Sequence, residues 1–458
     1  MTVVQLSVFS ISGLRGIVGE ELTPEVTSYI SASFGALIGP GTVAVGRDAR
    51  PSGDMLLSAA CAGLASVGRG VEVLDVCPTP TVLHHTRLKG RTGAIVVTAS
   101  HNPEQWNGMK FADAGGRFLT SAAISRLRAF VESGNFTRAD WHQAGQVRTY
   151  AGAIEDHIHA ITENSLFSAA KQRLVRRPLR VGVDAVNGAA ADAAVRLVKE
   201  LGCEPMPLHC DTTPEALAQG FPRKPEPTRE NLTELCRMVK TRNLDLGIAL
   251  DPDGDRLSCV DDTGFALGEE ATICLACKYV LPIHKGPVVV NLSTTRAVED
   301  ICAGYRVQVA RAPVGEASVV ERMAETGAVI GGEGNGGVIL PEVNFTRDGL
   351  VAAATILGLV AVTGEPLSAL RLELPSYSTA KTTVSLTREQ YESRKRALLA
   401  EFEDCRVDER DGLKFDGPGF WVHVRPSNTE PLVRIISEAG DEAVLNRQVA
   451  RARAALQK

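Results

Sequence analysis

Three aspartates, Asp251, Asp253 and Asp255, stand at alternate positions in the segment Asp-Pro-Asp-Gly-Asp-Arg, called here the Asp loop (251–256). A folded chain tolerates three carboxylates this close together when a cation neutralises them, and ligands that are all oxygen favour Mg²⁺. The spacing does not fit a calcium loop, because Arg256 stands where that loop needs Gly and Asp262 where it needs Glu. Two alternatives stay open: a solvated acidic turn, and a phosphatase in which Asp251 is the nucleophile.

Ser100 follows a predicted strand over 93–97 and precedes the stiff Asn102-Pro103 turn. A serine triad is disfavoured, because neither the G-x-S-x-G elbow nor an HGGG-type oxyanion loop occurs. A phosphorylated Ser100 would carry about −1.5 to −2 charges and three acceptor oxygens, which would make it a further ligand for a metal at the Asp loop. The alternative is an ordinary helix or turn cap.

The segment from Arg425 to Arg434 places two guanidinium groups, two hydroxyls and an amide beside a turn that Pro constrains. These donors match the acceptor oxygens of a phosphate monoester. We therefore predict a phosphate-binding loop that uses Arg425, Ser427, Asn428, Thr429 and Arg434. A capped turn with a surface arginine pair is the alternative.

A glycine-rich segment, called here the sugar loop (331–337), has Glu333 and Asn335 as its only side chains. Its glycine spacing is a weak match to dinucleotide-binding loops, and no phosphate-binding G-x-x-x-x-G-K-[ST] loop occurs anywhere. An acceptor and a mixed donor-acceptor suit sugar hydroxyls better than pyrophosphate. The segment therefore predicts contacts to a sugar.

The elements that must position these loops form one unit that occurs three times. A β-branched strand, a polar loop, an Ala-rich helical run, a Gly and a second strand begin at Val43, Leu179 and Val288. This order implies right-handed parallel crossovers and an α/β class. Each copy leads to a further strand that ends in loop 98–103, the Asp loop or the sugar loop. We thus expect the chemistry at equivalent places in three similar domains.

After about residue 370 the pattern changes to a smaller α+β domain, with a strand at 382–386, a charged helix over 388–404, strands near Val422 and Val433, and a final helix. We predict four domains, each burying its own core. They are a phosphoserine domain (1–150), a metal-loop domain (151–257), a sugar-loop domain (258–370) and a phosphate-binding domain (371–458).

Composition limits the possible partners. Of 458 residues, 44% are hydrophobic, and 49 basic against 54 acidic residues give a net charge of −5. No block of like charges suggests nucleic-acid binding. Ten scattered cysteines and the lack of a signal peptide predict a cytoplasmic protein, and the longest apolar stretch, 350–362, reads as a buried helix too short to span a membrane.

Some metal-ligating residue types receive no role. Cys274-x-x-Cys277, with His284 nearby, could suggest a metal site, but the stretch 269–281 is predicted to be a helix and a fourth ligand is missing, which favours core cysteines over a zinc site. Four histidines on predicted helices have no carboxylate partner that the sequence identifies: His84, His85, His157 and His159.

Five segments in order resemble the α-D-phosphohexomutase family, which includes phosphoglucomutases, phosphomannomutases and phosphoglucosamine mutases. The resemblance covers essentially the whole chain. Its segments are Ser12-Gly-Leu-Arg-Gly-Ile17, Thr98-Ala-Ser-His-Asn-Pro103 followed by Asn107-Gly-Met-Lys110, the Asp loop, Gly332-Glu-Gly-Asn-Gly336, and Arg425-Pro-Ser-Asn-Thr-Glu-Pro431.

The resemblance implies a heart-shaped isomerase in which each of four domains offers one loop to a central cleft. It implies a phosphoserine at Ser100 that binds Mg²⁺ together with the three aspartates. Arg15 and Lys110 resemble a basic pair beside the phosphoserine, one of which helps to move the proton of a sugar hydroxyl, and His101 belongs to the same catalytic set. The substrate-binding residues it implies are Arg256, Glu333, Asn335, Arg425, Ser427, Asn428, Thr429 and Arg434.

The implied reaction interconverts sugar 6-phosphates and 1-phosphates of a hexose or hexosamine through a bound 1,6-bisphosphate. Two segments depart from many relatives. In the sugar loop Asn335 replaces Ser and Gly337 replaces His, and near the N-terminus Ser10-Ile11 replaces Gly-Thr. Asn335 can accept from a 2-ammonium group and also donate to a hydroxyl, which favours glucosamine phosphate over mannose and glucose phosphates. A phosphomannomutase or phosphoglucomutase, an Asp-nucleophile phosphatase and a silent sugar-phosphate sensor remain as alternatives.

Overall fold

The computed structural model describes residues 9–10, 13–427 and 431–457. These residues form four domains, each built around one sheet, in which helices and strands alternate. The predicted α/β class with a smaller C-terminal α+β domain is confirmed. No helix in the described ranges has the length and apolar character needed to cross a bilayer.

The first domain has the strand order β1-β2-β6-β5-β3-β4-β7. Strand β3 pairs in parallel with both β4 and β5, while β5 and β6 are antiparallel. The elements are β1 (Phe9–Ser10), β2 (Gly13–Ile17), α1 (Pro24–Ile38), β3 (Thr42–Arg47), α2 (Gly53–Ala65), β4 (Gly70–Val76), α3 (Thr79–Leu88), β5 (Gly93–Val97), β6 (Trp106–Asp113), α4 (Ser121–Ser133) and β7 (Val147–Thr149).

The second domain has the strand order β11-β10-β8-β9. Its elements are α5 (Ala153–Thr162), α6 (Ser168–Arg176), β8 (Arg180–Asp184), α7 (Ala191–Glu200), β9 (Glu204–Leu208), α8 (Pro214–Leu217), α9 (Thr233–Arg242), β10 (Leu246–Leu250) and β11 (Leu257–Asp261), with short 3₁₀ turns at Ser165–Phe167 and Arg229–Asn231. Strand β11 extends this sheet past residue 257, where the sequence places a domain boundary.

The third domain repeats the arrangement with the order β13-β12-β14-β15. Its elements are α10 (Glu270–Val280), β12 (Val288–Asn291), α11 (Ala297–Gly304), β13 (Val309–Ala312), α12 (Glu316–Thr326), β14 (Ile330–Glu333), β15 (Gly337–Ile339), α13 (Gly349–Thr363) and α14 (Leu367–Leu372).

The repeated unit places three loops at equivalent positions. In each domain a parallel strand turns into an antiparallel neighbour: β5 into β6, β10 into β11, and β14 into β15. The intervening loops are the serine loop (98–105), the Asp loop and the sugar loop. Because the carboxyl ends of parallel strands open at one edge of a sheet, each of these loops lies at the corresponding edge of its own sheet.

The fourth domain has the strand order β16-β20-β19-β18-β17. The hairpin of β17 and β18 was not anticipated, although Leu413-Lys414-Phe415-Asp416 alternates apolar and charged residues. Its partner strand β17 has only three residues and gives no periodic signal of its own. The elements are β16 (Ser378–Ser385), α15 (Arg388–Glu401), β17 (Arg406–Asp408), β18 (Leu413–Gly417), β19 (Phe420–Pro426), β20 (Leu432–Ala439) and α16 (Glu442–Gln457).

The second and third domains share one hydrophobic core, so the expectation of a separate core for every domain is wrong for this pair. Helix α13 lies in that core, packed against α10, α6 and α7. It is apolar on all sides, as a fully buried helix should be. The first and fourth domains have cores of their own.

Candidate active site

Ser100 lies in the serine loop with its backbone in the left-handed region, at φ of 52°. That conformation is unfavourable for a residue with a β-carbon, so neighbouring groups must hold it. The Ser100 N–H donates to Thr98 Oγ1 at 2.8 Å. Its hydroxyl, on a residue only 1% exposed, donates to Asp251 Oδ2 at 3.2 Å. The fold therefore directs the predicted nucleophile at the Asp loop.

Arg50 fixes the serine loop from behind and is completely buried. The equally buried Asp48 balances its charge at 3.0 Å and also accepts from Thr98. The Arg50 guanidinium donates at 2.7 to 3.0 Å to the backbone oxygens of Ser100, Asn102, Pro103 and Trp106. The sequence analysis missed Asp48 and Arg50, although two charged residues directly after a buried strand were an available signal.

The three carboxylates of the Asp loop are completely buried. Oxygens of Asp251, Asp253 and Asp255 lie within 4.8 Å of one another. Asp253 Oδ1 and Asp255 Oδ1 accept no hydrogen bond from the described residues. Buried anionic oxygens without partners are costly unless a cation binds them. The site can therefore hold a metal ion, and its oxygen donors fit a hard divalent cation such as Mg²⁺.

Two basic side chains balance part of this negative charge. Lys110 Nζ donates to Asp253 Oδ2 at 2.7 Å and to Asp255 Oδ2 at 3.2 Å, and Arg347 donates to Asp255 Oδ2 at 2.6 Å. Burial raises the pKa of both aspartates, but other contacts outweigh it. Lys110 holds the pKa of Asp253 below its ordinary value, and Arg347 together with Lys110 does the same for the pKa of Asp255. Burial and the charge of Asp253 raise the pKa of Asp251 well above its ordinary value.

Glu333 in the sugar loop is 3% exposed, and its carboxylate is held by protein donors. Oε1 accepts from Asn291 Nδ2 at 2.8 Å and from the Gly315 N–H at 3.0 Å. Oε2 accepts from Arg347 Nη1 at 2.8 Å. Asn335 is partly exposed, and its Oδ1 accepts from the Gly337 N–H at 3.3 Å. Direct contact of Glu333 and Asn335 with a sugar stays a prediction.

Arg347 connects the sugar loop to the Asp loop, although the sequence analysis did not identify it. Besides Asp255 and Glu333, it contacts the buried Glu316 through Nε at 3.0 Å. A β-carbon added to Gly337 would lie 2.2 Å from Arg347 Cδ. The stem of Arg347 thus fills the space beside Gly337, and a side chain at position 337 would collide with it.

Three further predicted residues surround the serine and Asp loops. Arg15 on β2 donates to Asn102 Oδ1 at 2.8 Å. Arg256 donates to Glu226 at 2.9 Å, and its Nε makes no hydrogen bond with the described residues. His101 Nδ1 lies 3.4 Å from the Ser100 hydroxyl, and the charge of Arg256 together with burial lowers the pKa of His101 to about 2. Its ring is therefore neutral.

The phosphate-binding loop begins where β19 ends. Arg425 is 9% exposed, and its Nε lies 3.3 Å from Asp411 Oδ2. Arg434 stands opposite Arg425 in the pairing of β19 with β20, and the Ser427 N–H donates to the Leu432 oxygen at 2.8 Å. Asn428 and Thr429, predicted to contact phosphate, lie outside the described residues.

Comparison with known proteins decides the family. Descriptions of phosphoglucomutase/phosphomannomutase alpha/beta/alpha domains I, II and III match residues 7–138, 155–264 and 269–377, and that of the C-terminal domain matches 386–455. A protein of Methanopyrus kandleri named probable phosphoglucosamine mutase is 34% identical over 438 residues, which is 95% of this chain and 94% of the relative. The chain belongs to the phosphoglucomutase/phosphomannomutase family. The predicted phosphohexomutase family and isomerase class are confirmed.

Other phosphohexomutases are similarly close. A phosphoglucomutase/phosphomannomutase of Thermococcus kodakarensis is 35% identical over 447 residues, 95% of each chain. The crystal structure of a phosphoglucomutase/phosphomannomutase family protein from Burkholderia thailandensis superimposes with a TM-score of 0.86 at 28% identity, covering 99% of this chain and 97% of that one. These relatives carry different substrate names, so family membership alone does not define the sugar.

Two of the histidines without an assigned role do have carboxylate partners. His157 Nε2 lies 2.9 Å from Asp348 Oδ2, and His85 Nε2 lies 2.5 Å from Glu72 Oε2. His157 and Asp348 are distant in sequence, and Glu72 on β4 and His85 on α3 belong to different elements, so no local pattern revealed either pair. Cys274 and Cys277 are free and buried in α10, as predicted for core cysteines.

Proposed function

We propose that this phosphohexomutase interconverts glucosamine 6-phosphate and glucosamine 1-phosphate, and that Ser100 carries the transferred phosphoryl group. The observation that carries the proposal is the hydrogen bond from Ser100 Oγ to Asp251 Oδ2 at 3.2 Å. A phosphoryl group on Ser100 Oγ would adjoin any cation held by the Asp loop. The positive charges of Arg15 and Arg256 would offset the added negative charge. Both charges lower the pKa of His101, the residue next to Ser100, which supports this role.

The proposed metal is Mg²⁺, bound by Asp251, Asp253, Asp255 and an oxygen of phospho-Ser100. The unpartnered Oδ1 atoms of Asp253 and Asp255 support this assignment. Bound Mg²⁺ would neutralise charge on the phosphoryl oxygens. Lys110, held between Asp253 and Asp255, adds positive charge on the side of the first domain.

The proposed transfer breaks the bond between phosphorus and Ser100 Oγ and forms one to the oxygen of the free C1 or C6 hydroxyl. In the overall balance the proton of that hydroxyl replaces the phosphoryl group on Ser100 Oγ, which becomes a hydroxyl again. The resulting 1,6-bisphosphate rotates into the opposite orientation in the cleft and returns its other phosphoryl group to Ser100. Such a reaction needs positioning and charge neutralisation more than covalent catalysis. The serine loop, fixed by Arg50, supplies the first, and Lys110 with Arg15 supplies the second.

The sugar must bind in two opposite orientations, so its contacts fall into two classes. Glu333 and Asn335 would contact hydroxyls that exchange places between the orientations. The loop that begins at Arg425 would grip the phosphate that is not reacting, in both. Because that loop belongs to a separate domain, it can close on either orientation.

Glucosamine is proposed as the sugar because Asn335 offers both an acceptor oxygen and donor hydrogens. The Methanopyrus relative's name supports this choice. The test compares kcat/KM for the 1-phosphates of glucosamine, glucose and mannose, since specificity is a ratio of these constants. Glucosamine phosphate should be preferred. A tenfold preference for glucose or mannose phosphate, about 1.4 kcal/mol in transition-state binding, would defeat the glucosamine proposal and leave the family unchanged.

The residue that carries the covalent phosphate distinguishes the mutase from the alternative, a phosphatase with an Asp nucleophile. Intact mass and peptide mapping should find acid-stable phosphate on the peptide that holds Ser100, and Ser100→Ala should lose turnover while keeping its fold. A hydroxylamine-labile adduct on Asp251 would instead establish the phosphatase. A sensor without catalysis would show binding of hexose phosphates but no turnover.

A further inference from the structure

The tip of the β17–β18 hairpin, called here the hairpin loop (409–412), touches the phosphate-binding loop and the third domain at once. Gly412 makes this possible: a β-carbon there would lie 2.4 Å from the Val424 oxygen and 2.8 Å from Arg425 Cβ. The residue also has φ of 73°. Only glycine accommodates both, so the loop packs directly on the backbone that presents Arg425.

One carboxylate oxygen of Asp411 in this loop contacts two positively polarised groups. Its Oδ2 lies 3.3 Å from Arg425 Nε and accepts from the Val314 N–H at 3.0 Å. The geometry to Arg425 is an ion pair without a hydrogen bond, since Nε has no hydrogen-bond partner among the described residues. Asp411 therefore faces Arg425 through charge, and the Arg425 Nε–H remains without a hydrogen-bond acceptor among the described residues.

Val314 leads straight to the sugar loop. The next residue, Gly315, donates its N–H to Glu333 Oε1 at 3.0 Å, from a backbone with φ of 124°. Glu333 in turn accepts from Arg347, which reaches Asp255. A continuous series of polar contacts thus runs from the phosphate-binding loop through Asp411 to the sugar loop and the Asp loop.

Two neighbouring contacts fix the hairpin loop on the third domain. Arg410 donates to the Arg311 oxygen at 2.7 Å. His423 Nε2 lies 2.6 Å from the backbone oxygen of Asp411, and His423 Nδ1 lies 2.8 Å from Ser293 Oγ. Because a backbone oxygen only accepts, Nε2 carries the proton and Nδ1 accepts from the serine hydroxyl. The loop is thus tied to the third domain directly by Arg410 and, through His423, by the backbone oxygen of Asp411.

We propose that Asp411 is a positioning residue that couples the grip of Arg425 on the distal phosphate to the placement of the sugar loop. Without substrate, its carboxylate pairs with Arg425. An arriving phosphate takes over the guanidinium, and its charge repels the carboxylate, which keeps its hydrogen bond to Val314. Binding of phosphate at the phosphate-binding loop thereby affects the positions of Gly315 and Glu333 through Val314. The inference rests on the proposed function, because it assumes a sugar phosphate as ligand.

The two roles of Asp411 separate in two variants. Asp411→Asn keeps an acceptor for Val314 but removes the charge that competes with phosphate, so the dissociation constant for glucosamine 6-phosphate should fall about 3- to 10-fold while kcat stays within about twofold. Asp411→Ala should gain the same affinity for glucosamine 6-phosphate, but it also removes the acceptor of the Val314 N–H, so kcat should fall about tenfold or more. A residue that served only the fold would not produce this division.

The experiment measures glucosamine 6-phosphate binding by calorimetry in a Ser100→Ala background, and kcat in the otherwise natural chain. Unphosphorylated glucosamine is the probe that should show no gain in affinity. Asp416→Asn is the matched control, because it removes a carboxylate from the same hairpin that contacts Arg406 and Lys414 and not Arg425. It should leave both constants unchanged.

Failure of this inference differs from failure of the proposed function. If the natural chain turns over no hexose phosphate, the proposed function is wrong. If it turns over glucosamine phosphate but Asp411→Asn binds no more tightly than the natural chain, the competition for Arg425 is refuted. Equal loss of kcat in the Asn and Ala variants would refute the role of the Val314 hydrogen bond.

Discussion

Asp251, Asp253 and Asp255 are part of a larger set of buried acids that outnumbers the bases in contact with it. Lys110, Arg256 and Arg347 pair with the three aspartates, but the two arginines are shared with the buried Glu316 and Glu333 and with the partly exposed Glu226. An excess of buried negative charge is unfavourable unless a cation joins it. At the scale of single residues, this imbalance is the physical argument for a metal ion.

Asp253→Asn should weaken this metal site, because it removes one anionic oxygen. We expect the Mg²⁺ concentration that gives half-maximal activity to rise, and kcat to fall, each by about tenfold or more. Activity titrated with Mg²⁺ after chelation measures both. The control is Asp262→Asn, whose carboxylate accepts from Ser368 outside the site. Full activity in excess chelator would refute the metal requirement itself.

Gly337 is the second residue-scale case, because it leaves room for Arg347. Gly337→Ala puts a β-carbon 2.2 Å from Arg347 Cδ, so the arginine must move away from Glu333 and Asp255. Overpacking of this kind costs about 1–3 kcal/mol of unfolding free energy, and kcat should fall with it. Urea unfolding and steady-state kinetics measure the two effects.

Gly304→Ala is the matched control for Gly337, since a β-carbon at Gly304 meets no atom within 4 Å. It should leave kcat unchanged and stability equal or slightly higher. If both alanine variants behave alike, the space beside Arg347 has no role.

At the scale of elements, helix α10 supports the sugar loop through its first residue. Glu270 Oε2 accepts from the Thr295 N–H at 3.0 Å, and a β-carbon at Gly334 would lie 2.3 Å from the same carboxyl group. Burial of this carboxyl group raises the pKa of Glu270 to about 8. The start of the helix is therefore pH-sensitive at a point that touches the sugar loop.

The sign of this pH effect follows from the raised pKa. The folded chain keeps a proton on Glu270 that the unfolded chain loses near pH 4.5, so stability from this group is complete below pH 4.5 and is lost as the pH rises through 8. Glu270→Gln should remove that decline, and its unfolding free energy relative to the natural chain should increase between pH 5 and 9. Urea unfolding at several pH values measures it, with the exposed Glu215→Gln as control. Parallel pH curves for Glu270→Gln and the natural chain would contradict the prediction.

At the scale of the whole molecule, Asp348 joins the first two domains to the core that the second and third domains share. Its Oδ1 accepts from the first backbone N–H groups of α13, those of Leu350 and Val351. Its Oδ2 lies beside His157 on α5 and accepts from Asn344, which also reaches the Pro80 oxygen of the first domain. One buried carboxylate therefore caps the central helix and fixes its neighbours.

Asp348→Ala should destabilise the molecule by about 3–5 kcal/mol, because it removes a helix cap and leaves buried polar partners unpaired. Thr120→Ala removes only an exposed cap of α4, whose hydroxyl accepts from Ala123 at 3.3 Å, and should cost about 1 kcal/mol. Thermal unfolding of the two variants gives the comparison. Equal losses of stability in the two variants would mean that the contacts of Asp348 with His157 and Asn344 contribute nothing beyond helix capping.

The fold class and the family could be predicted from the sequence alone. Strand and helix periodicity is local, so the three repeated units, the apolar helix at 350–362 and the final domain could be predicted. The loops were evident because Asp251, Ser100 and Arg425 belong to compact groups of unusual composition. Such groups keep their chemical meaning whichever way the chain folds.

Only the tertiary structure decided which residues complete and connect those loops. Arg347 lies 92 positions from Asp255, and Arg50 lies 50 positions from Ser100. Asp411 contacts Val314 across 97 positions, through a hairpin that the sequence did not predict. Each of these side chains resembles an ordinary surface charge in its local sequence. Its role arises because burial removes water, and a buried charge must then pair with whatever group the packing of distant elements brings within hydrogen-bond reach.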